Sequence, residues 1–455
     1  MQQNNNALGT EKIGKLVFRL AVPSVVAQLI NLVYNMVDRI YIGHIAEVGR
    51  LALTGVGVCM PLMMILMAFS QLIGAGGAPL ASIALGKQDT QKAERILGTC
   101  AVALTGMSVL LMAVVRPASE SLLLLFGASS DTLPYALDYM NTYIWGTLFS
   151  TFSVGLNAFI TAQGFTKVSM ISVLVGAVCN IILDPIFIFA LHMGVRGAAL
   201  ATVLSQGLSA IWVLVFLSGK RTKLRLRRTG LRIDLRLLGS CLALGLSPFM
   251  MQLTECVLSI CFNRSLLRYG GDIAVGAMTI FATVMQFAML PLMGVAQGVQ
   301  PITGYNYGAG NKSRVAEAFK LLLKISLSYS CALWLLILLF PQLFILPFTN
   351  DAALITYSSS MIRIYFAMIV VMGAQIACQN TFLALGNAKT SLFLALLRKV
   401  FLLIPLIYIL PCFIPNQALA VFLAEPISDT IAVSTTLTLF WKHYRSELFG
   451  REASA

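Results

Sequence analysis

The chain reads Gly-Gly-Ala-Pro at residues 76–79, and its second half reads Gly-Val-Gln-Pro at residues 298–301. Leu-Gly-Lys-Gln-Asp begins at residue 85 after the first stretch, and Tyr-Gly-Ala-Gly-Asn begins at residue 307 after the second. One offset of 222 residues carries Pro79 to Pro301 and Gly86 to Gly308. An apolar chain with two similar halves is typical of membrane transporters built from structural repeats, which bind their substrates at the repeat interface.

The composition indicates an all-α, polytopic membrane protein. Of the 455 residues, 58% are hydrophobic and 11% are charged, whereas about a quarter of the residues of a soluble domain are charged. Apolar runs long enough to cross about 30 Å of hydrocarbon recur along the whole chain. They predict twelve transmembrane helices, at residues 16–42, 52–84, 93–116, 135–162, 168–191, 195–218, 237–267, 273–305, 315–347, 356–385, 390–411 and 417–441.

The twelve helices divide into two lobes of six. Residues 219–236 form the one long charged linker, so we expect an N-terminal lobe at residues 1–218 and a C-terminal lobe at residues 237–455. Because six crossings return the chain to its starting side, the lobes have the same orientation and a pseudo-twofold axis along the membrane normal. Rocking of one lobe against the other would then expose a central site to each side in turn.

The net charge of +14 follows the predicted topology and does not indicate nucleic-acid binding. In the twelve-helix scheme 25 of the 32 basic residues lie on one side, including Arg398 and Lys399 at the turn between the tenth and eleventh helices. The positive-inside rule makes that side cytoplasmic, with both termini inside. We therefore expect a multi-pass protein of the bacterial plasma membrane, and a monomer.

The sequence gives no sign of an enzyme or of a bound cofactor. The nine cysteines lie mostly inside apolar helices and form no Cys-x-x-Cys pair, which favours a packing role over a disulfide framework or a metal site. The chain has no Walker A motif, so ATP hydrolysis is not expected. Energy for transport must then come from an ion gradient or from a partner.

Acidic residues inside the predicted helices carry the strongest functional signal, because a charge in the bilayer is costly and is rarely retained without a use. Counted from the helix starts, Asp38, Asp184 and Thr202 reach a similar depth in the outer half of the membrane. Asn180 lies one turn from Asp184 on the same helical face. These four oxygen-bearing side chains can converge on a small hard cation such as Na+, or can share a proton.

Other polar residues of the predicted helices are candidates for a substrate cavity. Acidic side chains among them favour cationic cargo, such as small-molecule cationic drugs. The candidates are Asn31, Tyr34, Glu255, Gln286, Gln379, Glu425 and Asp429.

These motifs together resemble the MATE (multidrug and toxic compound extrusion) transporters, of the bacterial DinF/MepA-like branch. The resemblance covers nearly the whole chain and depends on Ala-Val-Pro at 21–23 with Asp38, on Gly-Gly-Ala-Pro at 76–79, and on Asn-Ile-Ile-Leu-Asp-Pro at 180–185. It implies export of varied, often cationic compounds, driven by inward H+ or Na+. In relatives an acidic pair of the N-terminal lobe binds the coupling ion together with nearby Asn and Thr. That role carries over to Asp38, Asn180, Asp184 and Thr202.

The two halves differ where the coupling ion is expected. Pro23 precedes Asp38 by 15 residues, and Pro248 precedes Asn263 by the same distance, so the carboxylate is present only in the first copy. Ion coupling is therefore predicted for the N-terminal lobe. A lipid or lipid-linked oligosaccharide flippase of the same superfamily is the alternative. Such a flippase needs several buried basic residues, whereas the buried charge in this sequence is mainly acidic.

Overall fold

The computed structural model describes residues 7–45, 48–227 and 230–448, and every regular element in these ranges is helical. Ten of these helices are long and apolar enough to cross a membrane, and a bent pair provides a further crossing. We label the crossing helices α1 to α12. Their bounds are Ile13–Gly43 (α1), Gly49–Gly86 (α2), Thr90–Leu125 (α3), Leu133–Ala162 (α4), Thr166–Ala190 (α5), Gly194–Ser218 (α6), Leu235–Gly308 (α7 and α8), Lys312–Leu339 (α9), the bent pair Ala352–Tyr365 and Ile369–Ala384 (α10), Ala388–Cys412 (α11) and Gln417–Leu448 (α12).

The run Leu235–Gly308 is a hairpin of two helices. A straight helix of its 74 residues would be about 110 Å long, several times the thickness of the hydrocarbon. Gly271 interrupts the run with φ 65° and ψ −164°, a conformation open to glycine alone. Phe262 and Phe281, on opposite sides of this break, both lie against Tyr365, with ring centroids at 6.2 and 5.6 Å. The described residues therefore make twelve crossings, the number that the sequence predicts.

The repeated glycine motifs lie where the two halves of the chain meet. A Cβ on Gly86 of α2 would collide with the carbonyl of Tyr305 in α8, and a Cβ on Gly308 of α8 would collide with the carbonyl of Ile83 in α2. The 222-residue offset exchanges these two contacts, since it relates Gly86 to Gly308 and Ile83 to Tyr305. Reciprocal contacts of this kind are what a twofold axis between the halves would produce.

Helix α1 is held against α8 by further glycines. A Cβ on Gly298 would lie 2.5 Å from the Cα of Ala21, and one on Gly294 would lie 2.6 Å from the Cα of Val25. Small residues let transmembrane helices approach to backbone contact, which strengthens van der Waals packing. The N-terminal half of α1 is thus fixed to the second half of the chain.

The segment before α1 contacts both halves of the chain. Leu8, in the short helix Ala7–Thr10, is buried, and its side chain lies 3.2 Å from where Gly164 would carry a Cβ. Its carbonyl accepts hydrogen bonds from Asn306 at 2.8 Å and Arg314 at 3.2 Å. Arg314 also donates to the carbonyl of Glu11 at 2.7 Å. This segment bridges the α4–α5 turn and the α8–α9 turn.

The described part of the linker packs against the first half. The Oε1 atom of Gln163 at the end of α4 accepts hydrogen bonds from the Thr222 hydroxyl and from the amides of Lys223 and Leu224. Glu94 of α3 pairs with Arg227 at 3.4 Å. The linker is therefore attached to α3 and α4 over at least part of its length.

One sequence-based assignment is wrong. The sequence-based scheme groups Arg398 and Lys399 with the basic residues around the turn between α10 and α11, although the predicted helix at 390–411 contains both, and the structure places them well inside α11, Ala388–Cys412. At 1.5 Å per residue they are about 15 Å along this helix, in a π-helical turn formed by Leu397–Leu403. Both side chains are buried and ion-paired, so these two charges do not contribute to the basic cytoplasmic surface.

Candidate functional site

Helices α1, α5 and α6 bring together the four residues predicted to bind the coupling ion. Asp38, Asn180, Asp184 and Thr202 are all buried. The side-chain amide of Asn180 donates to Oδ1 of Asp184 at 3.3 Å and to the hydroxyl of Thr202 at 3.4 Å. The carboxyl groups of Asp38 and Asp184 are close enough to influence each other electrostatically. Side chains from three helices thus form one polar cluster.

Local sequence explains this arrangement. Asn180 and Asp184 are four residues apart on α5, so they share one face of the helix. Pro185 follows, and a π-helical turn at Ile186–Ala190 comes next. On α6 the hydroxyl of Thr202 donates to the carbonyl of Ala198 at 3.0 Å, which turns its oxygen toward the Asn180 amide as an acceptor.

Three oxygen atoms of this cluster are buried without a hydrogen-bond partner among the described residues. They are Oδ1 of Asp38, Oδ2 of Asp184 and Oδ1 of Asn180. An ionised carboxylate has only acceptor atoms, and an unsatisfied buried acceptor costs about 1–3 kcal/mol, or more for a charged group. A shared proton or a small hard cation would satisfy these oxygens, and the donor set fits either.

Tyrosines complete the surroundings of the carboxylates. Tyr34, predicted as a cavity residue, lies beside Asp38 and Asp184 instead. Tyr139 of α4 contacts Thr202 through its hydroxyl and stacks on Tyr143 with ring centroids 6.0 Å apart. Tyr139 and Tyr143 were not among the residues predicted from the sequence. Their spacing of four residues in a transmembrane helix was the available signal.

The three predicted acidic residues of the second half form an ion-pair network with the two misplaced cations. Arg398 donates through Nε to Asp429 at 2.6 Å and through its Nη2 to Glu425 at 3.2 Å. Lys399 is in direct contact with Glu255. The acidic residues are thus not free to bind cargo in the simple way that the sequence suggested.

The remaining predicted cavity residues form contacts outside both clusters. The carbonyl of Asn31 accepts from the Asn35 side chain at 2.6 Å, which is a contact within α1. Gln286 is exposed on α8. The side-chain amide of Gln379 contacts the sulfur of Met251 at 3.2 Å, which joins α10 to α7. Among the described contacts, none links these three residues to a carboxylate.

Comparison with known proteins gives consistent matches over the whole chain. The MatE family model matches twice, at residues 23–186 and 248–409, so its two segments begin at Pro23 and Pro248. Multidrug export protein MepA of Staphylococcus haemolyticus (strain JCSC1435) is 24% identical over 399 residues, which are 88% of this chain and 87% of that protein.

Solved structures show the same fold. The MATE multidrug transporter DinF-BH is 34% identical with a TM-score of 0.87, covering 96% of this chain and 97% of that one. A multidrug resistance MATE family transporter of the MOP superfamily in an outward-facing conformation is 22% identical with a TM-score of 0.90, covering 97% and 98%. At that identity the second likeness bears on the fold alone.

Proposed function

This chain belongs to the MatE family of transporters, and on that premise we propose that it is a secondary active multidrug efflux antiporter. It exports organic, mainly cationic compounds across the bacterial cytoplasmic membrane in exchange for inward H+ or Na+. Both termini lie in the cytoplasm, and the lobes at residues 1–218 and 237–455 move against each other around the linker at 219–236. The names of the relatives support multidrug export.

One observation carries the coupling role, namely the pair of facing carboxylates at Asp38 and Asp184. Its buried oxygens without donors make the empty, fully ionised site unfavourable. A proton or Na+ that arrives from outside lowers the charge of the pair from two negative charges to one and bridges α1 and α5. The ion therefore stabilises one arrangement of α1 over another, and only such a difference in affinity can drive a conformational change.

Helix α1 provides the connection from this site to the interface between the halves. Its outer part carries Asp38, and its inner part is packed against α8 at Ala21 and Val25. Pro23 lies between these two contact residues and lacks the amide that would otherwise bond within the helix. Movement of the outer part of α1 upon ion binding can thus bend the helix at Pro23 and alter its packing on α8.

The test is transport by carboxylate-to-amide variants in a drug-hypersensitive strain and in proteoliposomes. Asp38→Asn and Asp184→Asn should abolish ethidium efflux driven by a pH or Na+ gradient. Asp138→Asn is the matched control, because Asp138 is an exposed carboxylate more than half accessible to solvent. Running each gradient separately identifies the coupling ion. Normal gradient-driven efflux by Asp38→Asn would refute the coupling role.

The flippase alternative gains one supporting observation, since Arg398 and Lys399 are buried bases of the kind that bind a pyrophosphate. Both are paired with carboxylates, however, and the three carboxylates outnumber them. An anionic headgroup would have to displace these acids. Translocation of a lipid-linked pyrophosphate by proteoliposomes that fail to export ethidium would favour the flippase.

A further inference from the structure

The ion-pair network of the second half has one open member and four buried ones. The Glu255 side chain on α7 is 55% exposed, whereas those of Lys399 and Asp429 are 8% and 4% exposed. The side chains of Arg398 and Glu425 are 13% and 7% exposed. Glu255 is therefore the most accessible member of the network.

Helical geometry explains how the two consecutive bases of α11, which lie in its π-helical turn, have different partners. Successive residues of a helix point in directions roughly 100° apart. Arg398 accordingly faces α12, where Glu425 and Asp429 are one turn apart, and Lys399 faces α7. π-helical turns of this kind are frequent at functional sites.

Glu255 lies at the boundary between the two halves. Met251, one turn earlier on α7, contacts Gln379 of α10, on the side of the second half. Cys256, the next residue, has its sulfur 3.9 Å from that of Met64 in α2, in the first half. Glu255 therefore faces the region between the halves, which is where a repeat-built transporter binds its cargo.

The ion-pair network has fewer basic than acidic side chains. Two cations face three carboxylates, so one negative charge remains in excess when all five groups are ionised. Arg398 alone balances only one of Glu425 and Asp429, and Lys399 interacts electrostatically with both of these acids as well as with Glu255. When Lys399 leaves Glu255, the excess carboxylate of α12 therefore still interacts with it electrostatically.

We propose that Lys399 is an internal counter-ion that selects singly charged cationic cargo. It pairs with Glu255 while the cavity is empty and yields this carboxylate to an incoming monocation, which brings the network to neutrality. A neutral compound leaves one negative charge unbalanced, and a dication leaves one positive charge unbalanced. This inference rests on the proposed efflux function and names the charge class of its cargo.

The test is equilibrium binding to the purified full-length protein without any ion gradient. The probes are tetraphenylphosphonium, a hydrophobic monocation, and dequalinium, a hydrophobic dication. Lys399→Gln should shift the ratio of their dissociation constants at least tenfold toward the dication, because the network then lacks two positive charges. Lys399→Arg keeps the charge and should keep the ratio. Glu255→Gln should weaken tetraphenylphosphonium binding at least tenfold.

The outcomes separate this inference from the proposed function. An unchanged ratio in Lys399→Gln, or an equal loss of both probes in a protein with normal thermal stability, overturns the counter-ion role even if Asp38→Asn blocks efflux. A shifted ratio alongside normal efflux by Asp38→Asn supports the counter-ion role and overturns the coupling proposal. If Lys399→Gln does not fold, Lys399→Arg and Glu255→Gln decide. Unchanged tetraphenylphosphonium affinity in Glu255→Gln then refutes the inference.

Discussion

Replacing Gly298 by alanine is expected to loosen the packing of α1 on α8 and to shift the protein toward a state that is open at the end where the termini lie. The new Cβ would lie 2.5 Å from the Cα and 2.6 Å from the amide nitrogen of Ala21, about 0.9 Å short of ordinary contact. Both atoms belong to the backbone, so the helix itself must move. Overpacking of this kind costs about 1–3 kcal/mol, which corresponds to about 5-fold to 150-fold in a conformational equilibrium.

Two native cysteines report on this opening. Cys100 of α3 and Cys241 of α7 come from different halves, are fully buried, and have their sulfur atoms 3.8 Å apart. Their alkylation by a maleimide, followed by mass spectrometry of each peptide, measures how often the halves separate. The labelling rate of both should rise in Gly298→Ala by the factor calculated above, since alkylation requires the open state.

Gly276→Ala is the matched control on the same helix. A Cβ at that position would lie 3.5 Å from the Leu354 side chain, which is ordinary contact. Its labelling rate should stay that of the original protein. Equal rates in Gly298→Ala and Gly276→Ala would refute the idea that the α1–α8 contact holds the halves together.

Two further predictions concern buried polar contacts. Arg398→Met should lower the free energy of unfolding by about 3–5 kcal/mol, because it leaves Glu425 and Asp429 buried without their cation. Thermal unfolding in detergent measures this loss. Adding Asp429→Asn should restore part of the stability, whereas additive losses in the double variant would contradict the argument. Arg314→Gln should release the segment that contains Ala7–Thr10, since hydrogen bonds from a charged donor contribute about 1.5–3 kcal/mol. Proteolysis should then remove this segment faster, and an unchanged rate would argue against the anchoring role of Arg314.

The sequence predicted most of the fold because the bilayer constrains it so strongly. Apolar length sets the number of crossings, and the hairpin at Gly271 falls in the predicted gap between residues 267 and 273. The bend of 46° within α10, between Tyr365 and Ile369, was not predicted. No proline or glycine occurs between these two residues, so local sequence provided no signal for it.

The candidate ion site was accessible from the sequence for a geometric reason. Depth along a helix is proportional to residue number, so residues on α1, α5 and α6 could be brought to one level by counting. Tyr139 could not be found in this way, since a tyrosine in an apolar helix has the same pattern whether its hydroxyl faces a carboxylate or the headgroups. Its contact with Thr202 depends on how α4 is rotated against α6.

The ion-pair network shows a second limit of sequence reasoning. A hydropathy profile treats each charged residue separately. It cannot show the partners of Arg398 and Lys399, because these lie between 27 and 144 residues away along the chain. The sequence-based scheme counts both bases with the cytoplasmic side, although they lie about 12 Å inside the predicted helix at 390–411. Only the packing of α7, α11 and α12 shows that these two bases are cancelled by acids, which makes their burial tolerable.

The two halves stabilise their buried carboxylates in opposite ways, and this difference supports the roles proposed for them. Asp38 interacts electrostatically with Arg39, but neither Asp38 nor Asp184 forms a salt bridge among the described residues, so their buried oxygens depend on an ion from solution. That dependence is what a coupling site requires, because its arrangement then changes each time the ion binds or leaves. The second half instead carries Lys399 beside Glu255, so most of its charge is balanced in every state. Such a site responds weakly to a proton or Na+ and strongly to the charge of a compound that competes with the lysine, which suits it to selecting cargo.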